Sequence, residues 1–74
     1  MIEKTHSIFV GIVWTDGENV VRWQVYIPIH SPGFPDGKIV AGGTYGTVVE
    51  SILMAIDCVE SAIADASTEL AVTT

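Results

Sequence analysis

At 74 residues, with 3 Lys+Arg against 9 Asp+Glu and a formal net charge of -6, the chain has room for one domain only. It lacks the clustered cations that nucleic acid or an anionic membrane demands, so neither is expected as a direct ligand. A composition of 49% hydrophobic and 16% charged residues excludes disorder over most of its length. The lone Cys58 excludes an internal disulfide framework and a multi-cysteine zinc site, and a free thiol fits a reducing compartment. The N-terminus lacks the basic start and apolar run of a signal peptide, and no apolar stretch reaches about 18 residues. A soluble cytoplasmic protein is therefore the expectation.

Residues 7–15 alternate as a strand, with Ile8, Val10, Ile12 and Trp14 on one face and Phe9, Gly11, Val13 and Thr15 on the other. Asp16-Gly17-Glu18-Asn19 is a hairpin signal, because Asp-Gly tolerates positive φ. Residues 20–29 form a second strand, with Val21, Trp23, Val25, Ile27 and Ile29 on its apolar face and Arg22, Gln24 and Tyr26 on the wetter one. His30-Ser31-Pro32-Gly33-Phe34-Pro35-Asp36-Gly37 holds two Pro and two Gly, which no ladder accepts, so it reads as a loop. Residues 38–42 give a short third strand, and Gly42-Gly43 breaks it.

Thr47 with Glu50 three residues on forms a capping box before an apolar run, and helical periodicity continues from Val48 to about Ala66. Val48, Ile52, Ala55, Ile56, Val59, Ala62, Ile63 and Ala66 share one side. Glu50, Asp57, Glu60 and Asp65 fall on the opposite half, giving an acidic outer face. Residues 70–73 allow a short further strand or a frayed end. The expected architecture is α+β: an antiparallel sheet of three or four strands with one amphipathic helix on one face, in the order β-β-β-α(-β). One helix covers one sheet face. The other, expected to carry Phe9, Val13, Val20, Tyr26 and Val40, calls for a partner, and a homodimer through Phe9, Val13 and Tyr26 is the economical answer.

Catalytic chemistry is hard to build from these residues. The carboxylates read as a solvated helix face unless a cleft gathers them. His30 and Asp36 supply two metal ligands and no third at suitable spacing, so no metal is expected. Cys58 has no neighbouring cation to activate it and reads as a small buried hydrophobe. Gly42-Gly43-Thr44-Tyr45-Gly46-Thr47 precedes a helix but lacks the Lys of a phosphate loop and the spaced glycines of a dinucleotide site. No cofactor and no catalytic residue is expected, and an enzyme ranks last.

The string Trp23-Gln24-Val25-Tyr26-Ile27-Pro28, then Ser31-Pro32-Gly33, then Gly43-Thr44-Tyr45 and the acidic-apolar helix, resembles the HicB-type antitoxins over residues of about 7–66. Phe34 stands where that family often has Cys, the loop carries an extra Phe34-Pro35-Asp36-Gly37, and no DNA-binding segment follows, so repressor activity is not expected. The resemblance implies a non-enzymatic module that binds and blocks a toxin acting on RNA. Charge points the same way, since an acidic domain is steered onto a basic partner. The expected function is a non-catalytic inhibitor of a nucleic-acid-handling protein, either a nuclease toxin or, as a phage-encoded anti-CRISPR DNA mimic, a CRISPR effector subunit. Glu50, Asp57, Glu60 and Asp65 are the expected contacts. The alternative is a self-assembling structural module with no other partner.

Overall fold

The computed structural model describes residues 1–16, 20–46 and 49–73, with side chains except at 49–50 and 71–73. Four strands, β1 (Ile2–His6), β2 (Phe9–Thr15), β3 (Val21–Ile27) and β4 (Lys38–Tyr45), form an antiparallel meander in the order β1-β2-β3-β4, and one helix, α1 (Val49–Thr73), follows. This is the expected α+β class. The fourth strand, however, comes from the N-terminus. Residues 70–73, a candidate strand, continue the helix instead, because Leu70 extends the apolar stripe one turn past Ala66 and packs against the core.

β1 and β2 join through the two-residue turn Ser7-Ile8, with His6 opposite Phe9 and Ser7 at φ 56. A positive φ at the first turn position suits a tight hairpin whose twist matches its strands. β2 and β3 pair with Val13 opposite Trp23 and Gly11 opposite Val25. The Asp16 side chain accepts from the Val20 backbone N–H at 3.3 Å beside the hairpin, while the Asp16 N–H donates to the Val20 carbonyl at 3.1 Å. Asp-Gly-Glu-Asn lies mostly outside the described residues, as do Thr47, Val48 and with them the expected capping box.

That register decides the two faces. Phe9, Gly11 and Val13 share a face with Val21, Trp23 and Val25, and α1 lies on it. Phe9, Val13, Val21, Val25 and Ile27 from the sheet meet Ala55, Val59 and Ile63 from the helix in the buried core. Phe9 and Val13 are each 3% exposed, which corrects their placement on the open face. Val40 is corrected likewise and packs against the core. The physical cause is Gly11, since a Cβ there would stand 2.1 Å from Val59 Cγ1. Only a strand face without a side chain at this point lets the helix come so close.

β3 and β4 keep register from Val21–Tyr45 to Val25–Ala41, then shift at Val25/Tyr26 so that Tyr26 faces Ile39. The extra residue is Val40, a bulge that turns its side chain onto the helix side. The preceding loop is built from two successive turns. The Phe34 N–H donates to the Ser31 carbonyl at 2.9 Å across Pro32-Gly33, with Gly33 at φ 80. The Gly37 N–H donates to the Phe34 carbonyl at 3.0 Å across Pro35-Asp36. Pro second and a left-handed Gly third is the pattern of a type II turn. The Ser31 hydroxyl donates to the Pro28 carbonyl at 2.6 Å and pins the loop's base. So held, Phe34 packs on the core, where it shares a cleft with Phe9, Ala66 and Leu70.

Candidate functional site

Three surfaces offer chemistry: the outer face of the helix, the open face of the sheet and the cleft between β1 and α1. On the helix, burial of Ala55, Val59 and Ile63 turns the residues about half a turn away to solvent. Asp57, Glu60 and Asp65 are all exposed. Asp57 and Glu60 stand three residues apart and so lie one turn from each other on neighbouring parts of the face. Asp65 lies about 80° round the axis from Asp57, and Glu69, also exposed, stands on the flank opposite Glu60. Glu50 belongs to the same helix, and its side chain lies outside the described residues.

The helix has five carboxylates, Glu50, Asp57, Glu60, Asp65 and Glu69, and no Lys, Arg or His. Its positions 50 to 69 span roughly 28 Å at ~1.5 Å per residue, so a negative charge recurs on average about every 7 Å along the axis. The apolar part of the outer face, Leu53 and Met54, is exposed by 64% and 48%. The residue pattern puts Met54 on the outer half with the carboxylates and assigns Leu53 to neither side, and neither is among the expected contacts. Their departure from the stripe of Ile52, Ala55, Ile56 and Val59 was the available signal.

Of the three cations, one lies away from the helix and two flank it. Arg22 lies on the far side of the sheet, where its Nε donates to Asp16 Oδ2 at 2.8 Å and its Nη1 to Thr44 Oγ1 at 3.2 Å. Lys4 lines a cleft of about 320 Å³ together with His6, Glu60 and Ile63. This brings a cation beside Glu60, and Lys38 shares the cleft of Phe34 and Leu70 with Glu69 on the other flank of the helix, while Asp57 and Asp65 line neither cleft. His30 and Asp36, weighed as metal ligands, sit in the double-turn loop. Among the described residues, no three of His, Cys, Asp and Glu come together around one point. Cys58 is half-buried on the helix.

The open face follows from the register. Thr5, Val10, Tyr26 and Ile39 form one row across the four strands, Glu3, Ile12, Gln24 and Gly42 the next, and Trp14, Arg22 and Thr44 a third. Of the three residues expected at an oligomer interface, only Tyr26 is here, half-buried. Val10, Ile12, Trp14 and Ile39 take the places assigned to Phe9, Val13 and Val40. Beside Tyr26 a shallow groove of about 640 Å³ runs past Pro28, Ile29 and Ile39.

No family model, curated protein or solved structure matches this chain. No helix among the described residues is long and apolar enough to cross a membrane.

Proposed function

We propose that this chain is a non-catalytic inhibitor that docks an acidic helix face onto the basic surface of a nucleic-acid-handling protein. The observation that carries this reading is the single-sign helix, with five carboxylates and no cation, whose Asp57, Glu60 and Asp65 face solvent. Duplex DNA presents one charge per about 1.7 Å of axis, so one per ~7 Å imitates phosphate sparsely. Such a surface contributes most to encounter rate and specificity and is weakened by salt. Leu53 and Met54, exposed on the same face, add apolar contact that salt does not weaken. A nuclease toxin, which the HicB-like resemblance implies, and a CRISPR effector subunit are both partners of this chemistry. Either would place the inhibitor in the cytoplasm.

The test is affinity capture from the host lysate with the wild-type chain and with an Asp57→Lys/Glu60→Lys variant, followed by mass identification. A basic nucleic-acid-binding protein should be retained by the wild type, released by salt, and reduced about tenfold or more by the variant, as loss of two charge contacts predicts. Retention equal on both baits would move the contact off the helix. Recovery of the bait alone would refute the inhibitor and leave self-association as the whole function.

A further inference from the structure

We propose that the open face of the sheet is the contact surface for a second copy of this chain, giving a weak, face-to-face homodimer with the acidic helices on its outer sides. The proposal does not depend on the inhibitor reading. Its first support is the anatomy of the face. Val10, Ile12, Trp14 and Tyr26 form a contiguous apolar patch on β2 and β3 that Ile39 carries onto β4, bordered by Arg22 and Gln24 on β3 and by Glu3, Thr5 and Thr44 on the edge strands. An apolar patch with polar residues around it is the layout of a protein interface. Ile39, directly opposite Tyr26, is 69% exposed, and Ile29 in the adjoining groove is 63% exposed.

Charge selects the occupant. The charged side chains in the three rows are Glu3, at the rim, and Arg22, already engaged by Asp16 and Thr44. The face is therefore close to neutral on a chain of net charge -6. A basic partner gains nothing here and is drawn to the helix. What fits is another neutral apolar sheet, and a second copy presents one. Electrostatics permits the pairing. Sheets packed ~10 Å apart, each backed by a helix about 10 Å thick, place the helix axes roughly 30 Å from each other. That is several times the Debye length of ~8 Å at physiological salt, so the two acidic helices barely repel.

Area sets the strength. Four strands about 4.8 Å apart and about seven residues long at ~3.3 Å give a footprint of roughly 19 × 23 Å. Two copies then cover on the order of 900 Å², short of the ~1,200–2,000 Å² of stable complexes. The dimer should accordingly be concentration-dependent, with half-association in the range of about 10 µM to 1 mM.

Sedimentation equilibrium of the whole chain over that range tests it. The wild type should pass from monomer to dimer, and the transition should persist when salt is raised. Ile39→Glu should move the midpoint up by about tenfold or more, since it puts a charge into the apolar patch beside Tyr26. Ile39 is mostly exposed in the monomer, so this variant should keep the wild-type circular dichroism spectrum. Leu53→Glu, at a 64%-exposed position on the helix's outer face, should leave the midpoint unchanged. A monomer at every concentration overturns the proposal. So does a dimer that survives Ile39→Glu, or one that Leu53→Glu abolishes.

Discussion

Replacing Gly11 by Ala adds one methyl group at the place where helix and sheet come closest. The new Cβ would lie 2.1 Å from Val59 Cγ1 and 3.3 Å from Ile63 Cδ1. Carbon atoms settle at about 3.5–4.0 Å, so roughly 1.5 Å must be absorbed somewhere. Val59 is 0% exposed, and a helical valine has one strongly preferred χ1, so its side chain has little freedom to turn away. The helix must lift, which loosens the contacts of Ala55 and Ile63 as well. Overpacking of this kind costs about 1–3 kcal/mol. Restricting the unfolded chain returns about 0.4–1 kcal/mol. The net loss of about 1–2 kcal/mol is a sizeable part of the ~4–11 kcal/mol expected for a domain this long. It should lower Tm by roughly 5–15 °C.

Urea titration followed by the fluorescence of Trp14 and Trp23 measures the loss. A double-mutant cycle locates it. Val59→Ala alone removes two buried methyl groups, at a cost of about 1–3 kcal/mol. In the double variant the nearest remaining atoms are Ile63 Cδ1 at 3.3 Å and Val59 Cβ at 3.5 Å, which is tolerable. The pair should therefore be more stable than the sum of the single changes by about 1–2 kcal/mol. A Gly11→Ala variant as stable as the wild type, or strict additivity with Val59→Ala, refutes the close approach as the reason for glycine here.

Two further outcomes concern the loop and the first hairpin. Phe34→Ala should cost about 2 kcal/mol, less than for a fully buried phenylalanine, because Phe34 is only partly buried. Hydrogen exchange should then accelerate first around Ala66 and Leu70, which share its cleft. Uniform acceleration along the helix would show that Phe34 does not support that end locally. Ser7→Gly should raise stability by about 0.5 kcal/mol, because a left-handed φ costs a non-glycine residue ~1–2 kcal/mol and glycine loses part of that gain in the unfolded state. A lower urea midpoint would mean that the Ser7 side chain stabilises the turn.

β2, β3 and the helix were legible because their apolar periodicity is strong, although Ser7 and Ile8, read into β2, form the turn before it and the helix runs past Ala66 to Thr73. β1 was not. Ile2-Glu3-Lys4-Thr5-His6 is exposed at every position and pairs on one side only, so burial leaves no alternation to read. The faces of β2 were ambiguous for another reason. Both of its residue sets are apolar, and a shift of one residue in pairing with β3 exchanges them. That register is set by the pairing of β2 with β3, which neither strand's own residues specify. A clue was present in Gly11, because a glycine inside a strand signals close approach by another element. It belongs to the set with Phe9 and Val13, and that set went under the helix. The acidic face was readable by angle alone. Which carboxylates have a cation nearby was not, because Lys4, Arg22 and Lys38 are placed by sheet pairing and not by local spacing.

The order of elements, sheet first and helix last, also shapes how the chain meets the cell during its synthesis. All four strands precede the helix, so Phe9, Val13, Val21 and Val25 have no cover until residues 49–73 have been made and have docked. Before that the sheet has apolar side chains on both faces, the state in which chaperones and aggregation compete for a nascent chain. A fragment ending at Tyr45 remains in that state, and its insolubility is the expected consequence.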